Sequence, residues 1–179
     1  MTTSASAVTW ARARPLGSLF AAAMAVTVLA RYGFGGAGLV AAFTCAALVV
    51  LSVIDVESRR LPNRIVLPAA VIVLVAHLAI APDSWASWIG AAFGAAAFLF
   101  VFVLAYPAGL GMGDVKLALL LGAALGSAIL PALLLGTLAG AAAAVWLLVR
   151  HGARARRMTM PFGPFLAFGA IATMLLLAP

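Results

Sequence analysis

Four carboxylates occur in the 179 residues: Asp55, Glu57, Asp83 and Asp114. Two of them stand where a carboxylate is hardest to keep. Asp55 closes the apolar run Leu48-Val-Val-Leu-Ser-Val-Ile-Asp55, and Asp114 opens another inside Gly111-Met-Gly-Asp-Val-Lys116. A charged group at membrane depth is expensive, so it marks a functional site by default. Two carboxyls facing each other cannot both ionise readily, and they share a proton. Such a pair can activate water. The ionised member takes a proton from it, and the protonated member supports the oxyanion that forms when the water attacks a carbonyl.

Plainer roles exist for each acid. Asp55 could be a boundary residue paired with Arg59 at i+4. Asp114 could be the N-cap of its helix. Glu57, among Ser58, Arg59 and Arg60, reads as a surface charge, and Asp83, in Ala-Pro-Asp-Ser-Trp85, as a solvated cap. The glycines Gly111 and Gly113 beside Asp114 would let a substrate backbone come close.

The elements that must position the pair are set by composition. The chain is 66% hydrophobic and 8% charged, against about 25% charged in soluble domains. A single buried core cannot absorb that much apolar sequence, so the solvent is lipid. The apolar runs are continuous rather than alternating, which excludes a β-barrel. Against the roughly 20 residues of a membrane-crossing helix, about seven candidate spans emerge: 16–31, 37–55, 65–82, 85–106, 114–129, 131–150 and 162–178. Six remain possible, because only Gly126-Ser127 and Pro131 separate the fifth from the sixth. Pro131 fits the first turn of the sixth helix, and Pro161 or Pro164 could start the last. The expected fold is all-α: one polytopic transmembrane bundle over residues 1–179.

The net charge of +7 belongs to this arrangement and calls for no nucleic-acid partner. With the N-terminus inside, Arg12, Arg14, Arg59, Arg60, Arg64, Lys116, Arg150, Arg154, Arg156 and Arg157 all fall on the cytoplasmic side, and Arg31 alone falls outside. This positive-inside bias predicts N-in, C-out. It sets Asp55 and Asp114 at the cytoplasmic ends of their helices, at one depth. The first span also has features of a signal peptide, basic residues before it and Val-Leu-Ala30 at its end, which a positive-inside anchor explains equally. The glycine pairs Gly90/Gly94, Gly109/Gly113, Gly122/Gly126 and Gly136/Gly140 predict close helix packing. Cys45 reads as a small core residue, and His77 and His151 lack ligand-like spacing to the acids, so neither metal nor cofactor is expected.

The residues also carry a resemblance. Gly111-Met-Gly-Asp114 is a GxGD motif, which resembles that of the membrane aspartic peptidases, presenilin-like proteases and type IV prepilin peptidases among them. Asp55-Val-Glu-Ser-Arg-Arg-Leu-Pro-Asn63 looks like the first catalytic segment of the prepilin branch, an Asp followed after a basic turn by a hydrophobic-Pro-Asn. Gly113-Asp-Val-Lys-Leu117 continues as its second segment does, and Met160-Pro-Phe-Gly-Pro-Phe165 is similar to the start of its last helix. The likeness covers about residues 30–179.

The resemblance implies that Asp55 and Asp114 are the catalytic pair. Gly111, Gly113, Lys116, Pro62, Asn63, Pro161, Gly163 and Pro164 are the motif positions around them, with no role derived for Lys116. It implies cleavage of the basic leader from type IV prepilins, Flp-type prepilins or pseudopilins, at the cytoplasmic face of a bacterial inner membrane. The chain resembles short forms that lack the cysteine-containing insert linked to N-methylation, so methylation is not expected of it. The rival reading is a small proton- or cation-coupled transporter or channel using the same two acids. Substrate identity and oligomeric state are left open.

Overall fold

The computed structural model describes residues 19–105, 110–152 and 160–177. Seven apolar helices make up the described chain: α1 Leu19–Tyr32, α2 Gly36–Ser58, α3 Asn63–Ile80, α4 Trp85–Ala105, α5 Met112–Leu125, α6 Ile129–His151 and α7 Gly163–Leu176. They match the expected spans to within a few residues. There is no strand among the described residues. By length and composition, Gly36–Ser58, Asn63–Ile80, Pro82–Ala105 and the stretch Met112–His151 can cross a membrane, while Leu19–Tyr32 and Gly163–Leu176 are shorter apolar helices.

Met112–His151 runs for 40 residues, about 60 Å if straight, twice the hydrocarbon thickness. It is broken where the sequence suggested. Gly126 takes φ 53° and opens a 3-10 turn, Gly126–Ala128, before α6 begins. A side chain there would also meet the Trp88 ring, at 2.8 Å. Gly126 therefore supplies both the positive φ and the clearance that the reversal requires.

Close approaches at small residues fix the neighbours and their directions. Gly122 lies against the Ala91–Ala92 backbone and Gly126 against Trp88, so α4 and α5 are antiparallel. Gly136 meets Phe165 and Leu166, and Gly140 meets Phe162, so α6 and α7 are antiparallel as well. Cys45 Sγ lies 3.6 Å from Met174 Sδ, while Asp55 meets Gly163, which runs α7 against α2. Gly36 at the start of α2 faces Ile80 at the end of α3. The core between them is aliphatic, with Leu48, Leu51, Val66, Leu117, Leu121 and Leu166 buried. In lipid this packing is driven by van der Waals fit rather than by water exclusion.

Of the four GxxxG pairs, Gly122/Gly126 and Gly136/Gly140 do join helices. Gly90/Gly94 do not: nothing lies within 4 Å of a side chain built at either. Gly113 packs on Leu61, and Gly109 is outside the described residues. Cys45 is buried, and His77 is buried and stacked on Trp88 with ring centroids 3.9 Å apart. Pro164 is the second residue of α7, a position that needs no backbone N–H donor, and Pro161 precedes the helix.

The helix directions gather the end of α2 and the starts of α3, α5 and α7 at one end of the bundle. Arg59, Arg60, Arg64 and Lys116 belong to those segments, and α6 runs toward the same end to Arg150. Arg31, at the end of α1, lies by the opposite end, as does exposed Asp83 in the turn Pro82–Ser84. The remaining five arginines of the positive-inside pattern are outside the described residues. Reporter fusions in cells should therefore read cytoplasmic after Arg60 and extracytoplasmic after Asp83. A cytoplasmic reading at both would break the topology.

Candidate active site

Asp55 sits on the last turn of α2, three residues before its end at Ser58. The helix closes on Arg59, which adopts a left-handed conformation with φ 52° and donates its N–H to the Asp55 carbonyl at 2.8 Å. A non-glycine residue in that region is uncommon. It reverses the chain at once, so that only Arg59, Arg60, Leu61 and Pro62 separate α2 from α3. The Asp55 side chain is buried, 6% exposed. Its Oδ2 accepts a hydrogen bond from the Gly163 N–H at 3.0 Å, across 108 residues of sequence. A side chain at Gly163 would come within 2.7 Å of the same oxygen. Gly163 thus serves as a backbone donor whose missing Cβ allows the approach.

Asp114 is held in a parallel way by its own motif. Gly111 is the N-cap of α5, in extended conformation, and Asp114 is the third residue of the helix. The Gly111 N–H donates to Asp114 Oδ2 at 3.1 Å, and the Asp114 N–H donates to the Gly111 carbonyl at 3.0 Å. The N-cap is therefore Gly111, not Asp114, whose side chain folds back onto it as in a capping box. Asp114 is half-buried. The two acids, remote in sequence, are brought to the same end of the bundle.

Gly113 and Lys116 lie three apart on one face of α5. A side chain at Gly113 would meet Leu61 Cβ at 3.2 Å, so the room beside Asp114 is filled by the α2–α3 connection. Lys116 Nζ donates to Asn63 Oδ1 at 2.7 Å. Pro62 is the N-cap of α3 and Asn63 its first residue. Among the described residues, no group of three or more His, Cys, Asp or Glu could hold a metal ion.

An apolar cleft adjoins the site. It lies between α4 and α6, with Gly90, Gly94, Phe98 and Phe102 on one wall and Leu130, Leu134 and Thr137 on the other. At the end near the acids it is lined by Leu110 and Phe162, each one residue before a glycine that donates to an aspartate. Nothing in the linear pattern marks this cleft. The open Gly90/Gly94 pair was its only trace, and it reads as packing in a linear pattern.

The model of the type IV leader peptidase family matches residues 42–148, a stretch that includes both Asp55 and Asp114. The chain is 38% identical over 169 residues to a prepilin leader peptidase/N-methyltransferase of Burkholderia pseudomallei (strain 1026b), covering 89% of this chain and 53% of that protein. It is 38% identical over 132 residues to the protein of the same name from Bacillus subtilis (strain 168), covering 69% and 50%. The Pseudomonas aeruginosa counterpart is 36% identical over 126 residues, covering 67% and 43%. The chain thus spans about half the length of the curated relatives it matches. No solved structure matches it.

The contrast between occupied and open glycine positions can be measured. Gly163→Ala should destabilise the protein by about 1–3 kcal/mol, because the new methyl overpacks against Asp55. Gly90→Ala, in open space within a helix, should be neutral or stabilising by up to about 1 kcal/mol. Thermal unfolding of the two variants in one detergent compares them, and equal effects would mean that α7 does not approach Asp55 so closely.

Proposed function

The chain belongs to the type IV leader peptidase family, and from that premise we propose that it is a membrane aspartic endopeptidase acting through Asp55 and Asp114. The observation that carries the reading is their placement. Two acids from separate helices come to the same basic end of the bundle, each bonded to a glycine N–H. Backbone donors orient a carboxyl without supplying a counter-charge, so the pair stays free to exchange a proton. One member, ionised, removes a proton from water. The water oxygen attacks the peptide carbonyl, and the protonated member stabilises the oxyanion and then passes its proton to the leaving amine.

The family and the surroundings of the pair support a prepilin-type substrate. A prepilin carries a basic leader ahead of an apolar stem, and the bond between them must lie at the membrane edge. The apolar cleft between α4 and α6 leads away from the acids along the bundle, which supports a stem lying in lipid-depth contact while the leader stays in the cytosol. Prepilins of type IV or Flp-type pili, and pseudopilins, all have that form. The proposal covers cleavage at the cytoplasmic face of a bacterial inner membrane and is confined to it. A carrier or channel would place its acids nearer mid-depth, whereas both stand within a turn of a helix end.

Co-expression with a candidate prepilin, read as the shortened product, tests this. Asp55→Asn and Asp114→Asn should each abolish cleavage while the protein still accumulates in membranes, since Asn keeps the size and cannot serve as general base. The double variant should be no worse than either single one. Asp83→Asn, at the other end, should cleave normally. Near wild-type cleavage by either dyad variant would refute the aspartic mechanism.

A further inference from the structure

Lys116 is conspicuous because its charge is not spent on a carboxylate. A lysine at a membrane edge ordinarily extends its head toward water or lipid headgroups. Here the side chain is half-buried, and its ammonium is turned, at an exposed edge, to a neutral amide oxygen, Asn63 Oδ1, at 2.7 Å and 53 residues away. A hydrogen bond with one charged partner is stronger than a neutral one, and this one joins the first residue of α3 to the first turns of α5.

The contact closes a ring of short connections. Asp55 is tied through its carbonyl to Arg59 at 2.8 Å. Arg59 holds a left-handed turn, and four residues later the chain reaches Asn63. Lys116 stands two residues after Asp114 on α5. One turn earlier on the same face, Gly113 receives Leu61 at 3.2 Å from its absent Cβ. The α2–α3 connection is thereby fastened to α5 at two points, by fit at Gly113 and by charge at Lys116. A loop this short, pinned at both ends, leaves little freedom between the helix bearing Asp55 and the helix bearing Asp114.

We propose that Lys116 is a positioning residue, which through its bond to Asn63 sets the placement of Asp55 relative to Asp114. The inference rests on the dyad reading above. It assigns Lys116 no contact with the substrate. Its effect falls on the rate of the chemical step, for which a misplacement of about 1 Å costs about 100-fold.

The test is a double-mutant cycle on the full chain in lipid nanodiscs, with Lys116→Ala, Asn63→Ala and both together, plus Lys116→Arg. Cleavage of a purified prepilin and thermal unfolding are measured on each. Each alanine variant should lower kcat by about 10–100-fold with little change in KM. The double variant should be no worse than the single ones, as for two halves of one contact. Lys116→Arg, which keeps a charged donor, should recover much of the loss even if the alanine variants accumulate poorly. Losses that multiply in the double variant, or a rise in KM alone, would mean that Lys116 acts on the substrate and would overturn the proposal. Coupling in unfolding with no effect on kcat would reduce the contact to a structural tie and would overturn it too. A wild-type chain that cleaves nothing would instead sink the peptidase reading and the positioning role with it. The unfolding cycle would then still report whether the Lys116–Asn63 contact exists.

Discussion

A carboxyl at the border of hydrocarbon must be given hydrogen-bond donors by the protein, because water reaches it poorly. This chain meets that demand with glycine backbone. Asp55 takes the N–H of Gly163, and Asp114 that of Gly111. An arginine or lysine in the same place would hold a carboxylate permanently ionised. A backbone amide satisfies one oxygen and leaves the carboxyl able to take up or release a proton, as the proposed dyad requires. Much of the architecture follows from that choice. The start of α7 must press against the end of α2, which only a residue without a Cβ permits, and α5 must begin with an extended glycine so that Asp114 can fold back on it.

The same economy governs the rest of the bundle. Packing without a hydrophobic driving force between helices requires close backbone approach, and the α4–α5 and α6–α7 contacts are both made over glycine. The α3–α5 contact at the site is different in kind. It is made by a charged hydrogen bond from Lys116 to Asn63, and beside it Leu61 of the α2–α3 connection fills the notch at Gly113. The result is a frame whose outer joints are apolar and whose joint beside the two acids is polar and directional.

Much of this was legible in the sequence, for physical reasons that can be traced. Helix number and order could be read because the chain is divided into continuous apolar runs, most of them near the roughly 20 residues that span hydrocarbon. Asp55 and Asp114 stood out because lipid leaves so few other acids in the chain, and the asymmetry of Lys and Arg put them at one end. The break at Gly126 was marked by a glycine and a following proline. Other features have no linear signature. Gly163 as partner of Asp55 depends on the register of α7 against α2, which periodicity does not encode. Asp114 reads as an N-cap because a cap and a residue three further on differ only in where the chain first turns helical. Lys116 has no partner within reach on its own helix, so its role could not be found from spacing. Gly90/Gly94 are indistinguishable in sequence from the pairs that do join helices.

The 108 residues between Asp55 and the amide that holds it also order events in time. A ribosome adds about 5–20 residues per second, so Asp55 precedes Gly163 by roughly 5–20 s of synthesis. During that interval α2 and α5 can be threaded into the bilayer with both acids in place and one of them still lacking its donor. The arrival of α7 completes the pocket. The chain therefore carries a built-in delay: until the last described helix is inserted, Asp55 lacks the backbone donor that Asp114 already has in Gly111, and a translation product truncated before Gly163 would retain both acids with only one of them so held.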